Sequence, residues 1–198
     1  MSVYFGKEQL YLPVVKKAAG KYNVPVSLVL AHIKQESGFN PKARLDEKTK
    51  DGKTWDSSFG MLQLLLGTAK TLDPNATAEK LLNVEYNVDL GTRLIAKNLD
   101  RYNNSLPDSI AAYNAGSVRR DAQGRYVNSR GVPNVQNYVN KVSKNYNEYT
   151  KWLNNGAKLI DPISINPMLI AGFATVLIIT IISGGVYAGR KNYRTLKG

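Results

Sequence analysis

The chain of 198 residues contains no cysteine and a single histidine, His32. Without thiols it forms no disulfides and no thiolate metal sites, and one imidazole is too few for a typical zinc or iron centre. Acidic residues are also scarce, since 27 Lys and Arg oppose 15 Asp and Glu for a net charge of +12. We therefore expect a fold held by its apolar core, with no metal and no cofactor.

The excess positive charge is divided between two parts of the chain. Residues 1–161 contain all 15 acidic residues and 23 of the 27 basic ones, a net charge of +8, and the last nine residues add +4. A basic domain attracts polyanions, which include nucleic acids, anionic lipids and bacterial wall polymers. The basic residues are scattered rather than clustered with exposed aromatics, so no specific nucleic-acid site is expected.

Charged residues are absent from positions 162–189, a run of 28 that is mostly aliphatic. A helix rises about 1.5 Å per residue, so this run can cross a hydrocarbon core of roughly 30 Å. We predict a linker over 156–166, a transmembrane helix over 167–189 and a basic tail over 190–198, which is expected on the cytoplasmic side. Because no apolar run follows a basic start, a cleavable signal peptide is not expected.

Residues 24–41 hold the most informative pattern in the rest of the chain. Pro and Ser near the start and Gly38 near the end predict a helix with Glu36 in its last turn. Val29, Ile33 and Glu36 lie at positions i, i+4 and i+7, so the carboxyl shares a face with apolar side chains. Most glutamates are solvated surface residues, and this position argues against that interpretation.

Two effects act on the Glu36 carboxyl at this position. A helix C-terminus disfavours a carboxylate, and burial disfavours the charged form, so both raise the pKa of Glu36. A carboxyl that stays protonated near neutral pH can donate a proton to a poor alkoxide leaving group. The sequence therefore predicts Glu36 to be a general acid.

Most of the first 155 residues are predicted to be helical. Helical patterns cover 9–22, 58–71 after a small turn, 81–102, 106–115 and 132–152. The predicted inner face of the first helix consists of Leu10, Pro13, Val14 and Ala18. The charged stretch 42–57 contains the turn dipeptide Asp51-Gly52 and is expected to be an exposed loop or small hairpin, while 119–131 is expected to be a flexible surface loop.

Several polar residues lie inside apolar or small-residue segments. Gln63 lies among Met and Leu, so its amide bonds the backbone or faces a polar ligand. Tyr113 and Asn114 lie among small residues at a helix end, where a Tyr packed in the core with its hydroxyl satisfied is the favoured interpretation. Asp56 is the one candidate for a second active-site acid, and its alternative is a solvated carboxylate.

Several segments, in this order, resemble the motifs of the soluble lytic transglycosylase (SLT) family, relatives of goose-type lysozyme. They are Gln35-Glu-Ser-Gly-Phe-Asn-Pro-Lys-Ala43, Ser58-Phe-Gly-Met-Leu-Gln-Leu64, Gly67-Thr-Ala69, Asn87-Val-Asp-Leu-Gly91 and Ala111-Ala-Tyr-Asn-Ala-Gly116, with Pro133 and Tyr138-Val-Asn-Lys-Val142 resembling a closing motif. The resemblance covers roughly residues 10–150. It implies a mainly α, lysozyme-like helical catalytic domain over residues 1–155 with a small hairpin, followed by the transmembrane helix.

The resemblance also implies a reaction on peptidoglycan glycan strands. The bond is the β-1,4 link from N-acetylmuramic acid (MurNAc) to N-acetylglucosamine (GlcNAc), and Glu36 matches the family's single acid/base. It protonates the glycosidic oxygen and then deprotonates the muramoyl 6-hydroxyl, which gives a 1,6-anhydro product. The substrate's N-acetyl group is the nucleophile, so no second carboxylate is required, unlike the usual glycosidase scheme. The implied saccharide-binding positions are Gln63, Tyr113, Asn114, Ser37, Ser58, Met61 and Tyr138.

The chain departs from the family pattern at three places. Leu65-Leu66 replaces the usual Met-Pro, Asn134 stands where Glu is usual, and the charged stretch lengthens the interval between Glu36 and Gln63. These differences bear on substrate fit and rate rather than on the acid itself.

Other functions stay open at this stage. A hydrolytic lysozyme is the nearest alternative, and a non-catalytic, membrane-anchored wall-binding or structural protein is another, although a pure binder gains nothing from Glu36 on an apolar face. A wall-cutting domain with no expected signal peptide and a C-terminal membrane anchor is unusual for a secreted bacterial enzyme. We therefore expect a bacteriophage protein in a virion membrane, beside other virion membrane proteins, with the bacterial cell envelope as the alternative location. Its expected role is to cut the wall locally during genome delivery.

Overall fold

A computed structural model describes residues 6–48 and 51–156, which form a mainly helical domain with one small sheet. The elements are α1 (Gly6–Tyr22), α2 (Val26–Ser37), β1 (Arg44–Lys48), β2 (Thr54–Phe59), β3 (Leu64–Leu65), α3 (Leu66–Leu72), α4 (Ala78–Leu81), α5 (Val84–Arg101), α6 (Leu106–Ala115) and α7 (Asn134–Asn154). Apart from Gly156, the predicted linker, transmembrane helix and basic tail lie outside the described residues. Within the described ranges, no helix is both long and apolar enough to cross a membrane.

Helix α2 lies at the centre of the larger hydrophobic core. Residues 27–33 are all buried, as expected for a helix that is surrounded by protein. Helices α1 and α7 pack against it. Gly38 ends α2 in the left-handed conformation with φ of 57°, and its N–H donates to the carbonyl of Lys34. The predicted start and stop of this helix are therefore confirmed.

The charged stretch after α2 forms the small hairpin rather than an irregular loop. Strands β1 and β2 pair antiparallel, with Leu45 opposite Ser58 and Glu47 opposite Asp56. Gly52 lies in the turn with φ of 81°. Since cross-strand partners share a face of the sheet, one face of the hairpin presents these four side chains.

The apolar segment after the hairpin is not the single helix that its composition predicts. Strand β2 continues through Phe59 and pairs with β3, so the helical part begins only at Leu66. Phe59 and Leu64 are buried in a second, smaller core together with residues of α3, α4 and α5. Pairing with the hairpin therefore overrides helix propensity in the first half of this segment.

The predicted inner face of α1 is wrong in part. Leu10 is 64 % exposed, whereas Leu12, Val15, Ala18 and the neighbouring alanine are buried. Apolar residues occur on more than one side of this helix, so the sequence offers two stripes. Packing of α1 against α2 and α5 selects the second stripe.

The segment 119–131 is attached to the domain more firmly than a flexible surface loop. Tyr126 and Val127 are buried. The hydroxyl of Tyr126 donates to Asp108 Oδ1 on α6 at 2.6 Å, and the Arg120 guanidinium lies 3.9 Å from the centre of the Tyr126 ring. Burial of the Tyr126 ring therefore holds this segment against the domain although most of its residues are polar.

Candidate active site

A cavity of about 240 Å³ opens beside Tyr113, which packs against both hydrophobic cores. Its lining comes from α2, the hairpin, β3, α3, α5 and α6, and consists of Glu36, Leu45, Glu47, Ser58, Gln63, Leu64, Leu65, Thr68, Leu94, Tyr113 and Asn114. A larger hollow of about 530 Å³ lies beside the start of α5, and its charged residues are all exposed. The smaller cavity therefore combines a titratable side chain with amides and hydroxyls.

Glu36 presents its carboxyl to this cavity from the last turn of α2. The residue is partly exposed, yet enough protein surrounds the carboxyl for burial to raise its pKa to about 7. A short hydrogen bond donated by Tyr138 Oη to Glu36 Oε1 lowers the pKa, because it stabilises the carboxylate. Burial is the larger effect, so near neutral pH the Glu36 carboxyl exists in both protonation states.

The loop over residues 60–63 carries Gln63 to the cavity, and a buried side chain of α5 holds its backbone. Asn87 Oδ1 accepts from the N–H of Leu62 at 2.8 Å, while its Nδ2 donates to the carbonyl of Phe59 at 2.9 Å and to a carbonyl at the end of α4. All three bonds are buried. Asn87 thus satisfies backbone groups that an irregular buried loop would otherwise leave unpaired.

Two other helices hold the same loop. Ser37 on α2 donates its hydroxyl to the carbonyl of Met61 at 2.8 Å. Tyr113 on α6 donates its hydroxyl to the carbonyl of Leu62, also at 2.8 Å. The hydroxyl hydrogen of Tyr113 is therefore engaged by the backbone, and its ring lines the cavity.

Gln63 bonds the backbone, which is one of the two alternatives that the sequence left open. Its Nε2 donates to the carbonyl of Gly60 at 2.8 Å, and its Oε1 accepts from Ser58 Oγ at 3.2 Å. At the same time its side chain forms part of the cavity wall. The residue adopts a left-handed conformation, φ 44°, which is uncommon outside glycine. The loop therefore holds the amide in one orientation.

The sequence model of the family described as "Transglycosylase SLT domain" matches residues 13–136, a range that contains Glu36, the loop and Asn114. The chain belongs to this SLT family.

Curated relatives of this chain are about 30 % identical to it over the aligned residues. Membrane-bound lytic murein transglycosylase C of Histophilus somni is 30 % identical over 158 residues, covering 72 % of this chain and 39 % of the relative. The protein of that name from Actinobacillus pleuropneumoniae is 30 % identical over 121 residues, covering 54 % and 31 %. The chain thus spans about two fifths, or less, of the length of these relatives.

The SLT fold is also seen in a solved structure, an inactive variant of the lytic transglycosylase Slt from Pseudomonas aeruginosa. The two share a TM-score of 0.55 and 22 % sequence identity, over 72 % of this chain and 24 % of that chain. This likeness supports the mainly α fold that the sequence predicted.

The saccharide-binding positions that the SLT resemblance implies fall into two groups. Gln63, Tyr113, Asn114 and Ser58 line the cavity together with Glu36. The remaining three, Ser37, Met61 and Tyr138, do not form its lining. Met61 is fully buried and Tyr138 is 8 % exposed, so direct contact of these side chains with a saccharide is not what the structure provides. The Met61 side chain packs in the larger core, whereas Tyr138 bonds the carboxyl of Glu36.

Asp56 shares a face of the hairpin with Glu47 but is not part of the cavity lining, and both of its carboxylate oxygens accept from backbone N–H groups. One oxygen accepts from the N–H of Gly67 at 3.0 Å and the other from the N–H of Ser57 at 2.7 Å. Gly67 is in the first turn of α3, which has no side-chain cap of its own. The carboxylate thus satisfies a free backbone donor at the positive end of this helix.

Sequence reasoning missed three contributions to the site. Glu47 and Leu45 line the cavity from β1; their i, i+2 spacing places them on one face of the predicted hairpin, but the turn dipeptide does not show which face meets the site. His32 was considered only as a metal ligand. Its Nδ1 lies 3.1 Å from Tyr138 Oη, a contact between residues 106 positions apart that no local pattern indicates.

The raised pKa of Glu36 predicts a pH dependence of stability. Its folded pKa of about 7 lies above the ordinary value of 4.5, so between these values the folded chain holds a proton that the unfolded chain has released. The free energy of unfolding should therefore fall as pH rises through this window, by about 3 kcal/mol for this group. Denaturant unfolding of wild type and Glu36→Gln from pH 4 to 8 measures it.

The Glu36→Gln variant lacks this titration, so its stability relative to wild type should rise across the same pH window. Glu148→Gln, an exposed substitution on α7, is the matched control and should follow the wild-type pH profile. Parallel profiles for wild type and Glu36→Gln would contradict the raised pKa.

Proposed function

We propose that this chain is a peptidoglycan lytic transglycosylase that cleaves the MurNAc-β-1,4-GlcNAc bond and forms 1,6-anhydro-MurNAc. The observation that carries the proposal is a carboxyl with a pKa of about 7, in a cavity lined by amide and hydroxyl groups. Such a carboxyl can give a proton and then take one at neutral pH. The names of the SLT relatives, lytic murein transglycosylases, support the substrate and the reaction.

In the proposed reaction Glu36 acts twice. As an acid it protonates the glycosidic oxygen while the bond from that oxygen to C1 of MurNAc breaks, and the acetamido oxygen of the same sugar bonds to C1. As a carboxylate it then takes the proton of the 6-hydroxyl, whose oxygen displaces the acetamido oxygen at C1. The product is the 1,6-anhydro sugar, Glu36 is protonated again, and no water is consumed.

The polar groups of the cavity are proposed to bind the saccharide. Gln63, Asn114 and Ser58 offer amide and hydroxyl groups to the acetamido and hydroxyl groups of the sugars, and the Tyr113 ring offers a flat surface. Ser37, Met61 and Tyr138 are proposed to act indirectly. Ser37 and the buried Met61 side chain anchor the loop over residues 60–63 to the core, and Tyr138 bonds the acid.

The proposed setting is a membrane. The charge-free stretch 167–189 and the basic tail support a single-pass C-terminal anchor, and the SLT relatives are named membrane-bound. We place the chain in a bacteriophage virion membrane beside other virion membrane proteins, where it would cut the wall locally during genome delivery. Detection of the chain in purified particles would support this setting. Its presence only in uninfected host envelopes would contradict it.

A hydrolytic lysozyme is the second candidate, because Glu47 lines the same cavity as Glu36. Most glycosidases use two carboxylates that flank the scissile bond, one of which activates water or attacks the sugar. In that case Glu47 would serve as the second carboxylate, and the product would carry a reducing end.

Mass spectrometry of muropeptides that the full chain releases from purified peptidoglycan tests these alternatives. Anhydro-muropeptides from wild type and from Glu47→Gln, with none from Glu36→Gln, are the expected result. Reducing-end products that disappear in Glu47→Gln would establish the lysozyme instead. Release of nothing by folded wild type would refute both and favour a wall-binding role.

A further inference from the structure

We propose that His32 is a positioning residue that determines which oxygen of Glu36 carries the transferable proton, and that it acts through Tyr138. His32 lies one helical turn before Glu36 on α2, and its Nδ1 is 3.1 Å from Tyr138 Oη. The same Oη donates to Glu36 Oε1. The three side chains thus form a continuous chain of hydrogen bonds that ends at the cavity. This inference rests on the proposed role of Glu36.

His32 is neutral in the folded protein. Its side chain is fully buried, and burial lowers its pKa to about 3. A neutral imidazole has one N–H and one bare nitrogen. Nδ1 faces Tyr138, whereas Nε2 is buried without a hydrogen-bond partner among the described residues. The Tyr113 ring packs against the imidazole, with 4.5 Å between ring centres.

The unpartnered Nε2 of His32 determines which ring nitrogen carries the proton. A proton on Nε2 would leave a buried N–H donor unpaired, which folded proteins tolerate less than a bare acceptor. The proton of His32 is therefore on Nδ1, where it is donated to Tyr138 Oη. A phenol has a single hydrogen, and in this arrangement it points to Glu36 Oε1.

Oε1 of Glu36 is thereby an acceptor in both protonation states of the carboxyl. The alternative, with a proton on Oε1 donated to Tyr138, would turn the phenol hydrogen toward His32 and require the disfavoured tautomer. The acidic proton consequently resides on Oε2. His32 in this way keeps one oxygen free to give and take the proton during the reaction.

Other titratable groups near the acid come from three elements. Burial and the charge of Glu36 hold the pKa values of Tyr113 on α6 and Tyr138 on α7 well above 10, so both phenols keep their hydrogens across neutral pH. Glu47 on β1 faces the same cavity. Of the three groups in the hydrogen-bonded chain, only Glu36 changes protonation between pH 5 and 9.

Nitrogen-15 NMR of the full chain with labelled histidine tests the tautomer directly, because the sequence contains a single histidine. We expect a protonated Nδ1 and a bare Nε2 from pH 5 to 9, with ring shifts that change around pH 7 in wild type and Glu47→Gln but not in Glu36→Gln. A protonated Nε2, or shifts unaffected by Glu36→Gln, would overturn the proposal. Because this readout needs no turnover, it is independent of the proposed function.

Substitutions at position 32 test the positioning role. His32→Asn keeps an N–H donor near the place of Nδ1, whereas His32→Leu removes it. We expect kcat on peptidoglycan to fall about tenfold in the Leu variant and less than threefold in the Asn variant, with KM unchanged. The pH at which kcat falls on the alkaline side should move to higher pH only in the Leu variant. There the weaker hydrogen bond from Tyr138 offsets less of the rise in the pKa of Glu36 that burial causes.

Two controls separate positioning from packing. Leu30→Val, a buried change in the same helix, should not change the pH at which kcat falls on the alkaline side. In a Tyr138→Phe background the Asn and Leu variants should become equal, because the effect of His32 passes through that hydroxyl. Equal losses in the two variants with Tyr138 intact, or no change in the pH at which kcat falls in His32→Leu, would refute the role.

Discussion

Glu36→Gln is expected to lower kcat on peptidoglycan by roughly 10³-fold while wall binding stays within about twofold of wild type. The amide keeps the size of the side chain, and Tyr138 Oη can donate to its carbonyl oxygen as it does to Oε1. An amide, however, supplies no acidic proton and accepts none from the 6-hydroxyl. Release of soluble muropeptides measures kcat, and co-sedimentation with purified wall measures binding.

The control for this loss is Glu148→Gln, which makes the same chemical change at an exposed position on α7. It should retain full activity. If Glu36→Gln kept more than about a tenth of the wild-type kcat, the acid would lie elsewhere, and Glu47 would be the first residue to examine because it faces the same cavity.

Gly60→Ala is expected to destabilise the domain by at least about 3 kcal/mol and to abolish activity. Gly60 has φ of 74°, a conformation that costs an L-residue roughly 1 to 2 kcal/mol. A Cβ at this position would also overlap the carbonyl oxygen of Leu81 and the side-chain amide of Asn87. Because both belong to the buried bonds around the loop, relief of the overlap displaces Gln63. Denaturant unfolding and muropeptide release measure the two effects.

Gly116→Ala is the matched control for this substitution. Gly116 has the same φ of 74°, and nothing lies within 4 Å of the position its Cβ would take. Its expected cost is therefore the conformational part alone, about 1 to 2 kcal/mol. Equal destabilisation by the two substitutions would show that the close approach of Asn87 to Gly60 has no energetic importance.

Features encoded by neighbouring residues were predictable from the sequence. Helix α6 has the predicted bounds, Leu106–Ala115, because Pro107 lies in its first turn and Gly116 ends it in the left-handed conformation. The end of α2 at Gly38 and the hairpin turn at Gly52 follow from the same local chemistry. The raised pKa of Glu36 was also predictable, because helical spacing alone places the carboxyl on a buried face.

Features that depend on distant residues were not predictable in detail. Spacing shows which side of a helix faces the core but not which side chain it meets there. The family resemblance therefore predicts that Tyr138 contacts the saccharide, whereas in the structure Tyr138 bonds Glu36, 102 positions away. Ser37 similarly holds the carbonyl of Met61.

The origin of the three side chains that hold the loop over residues 60–63 determines where the sequence tolerates insertions. Asn87, Ser37 and Tyr113 all come from helices of the core, and none comes from the hairpin. The hairpin joins α2 to the loop along the chain, so insertions at its exposed tip need not change the separation of Glu36 and Gln63. The tip of the hairpin can therefore vary in length and charge, while a one-residue insertion in α5 near Asn87 would rotate the Asn87 side chain away from the loop.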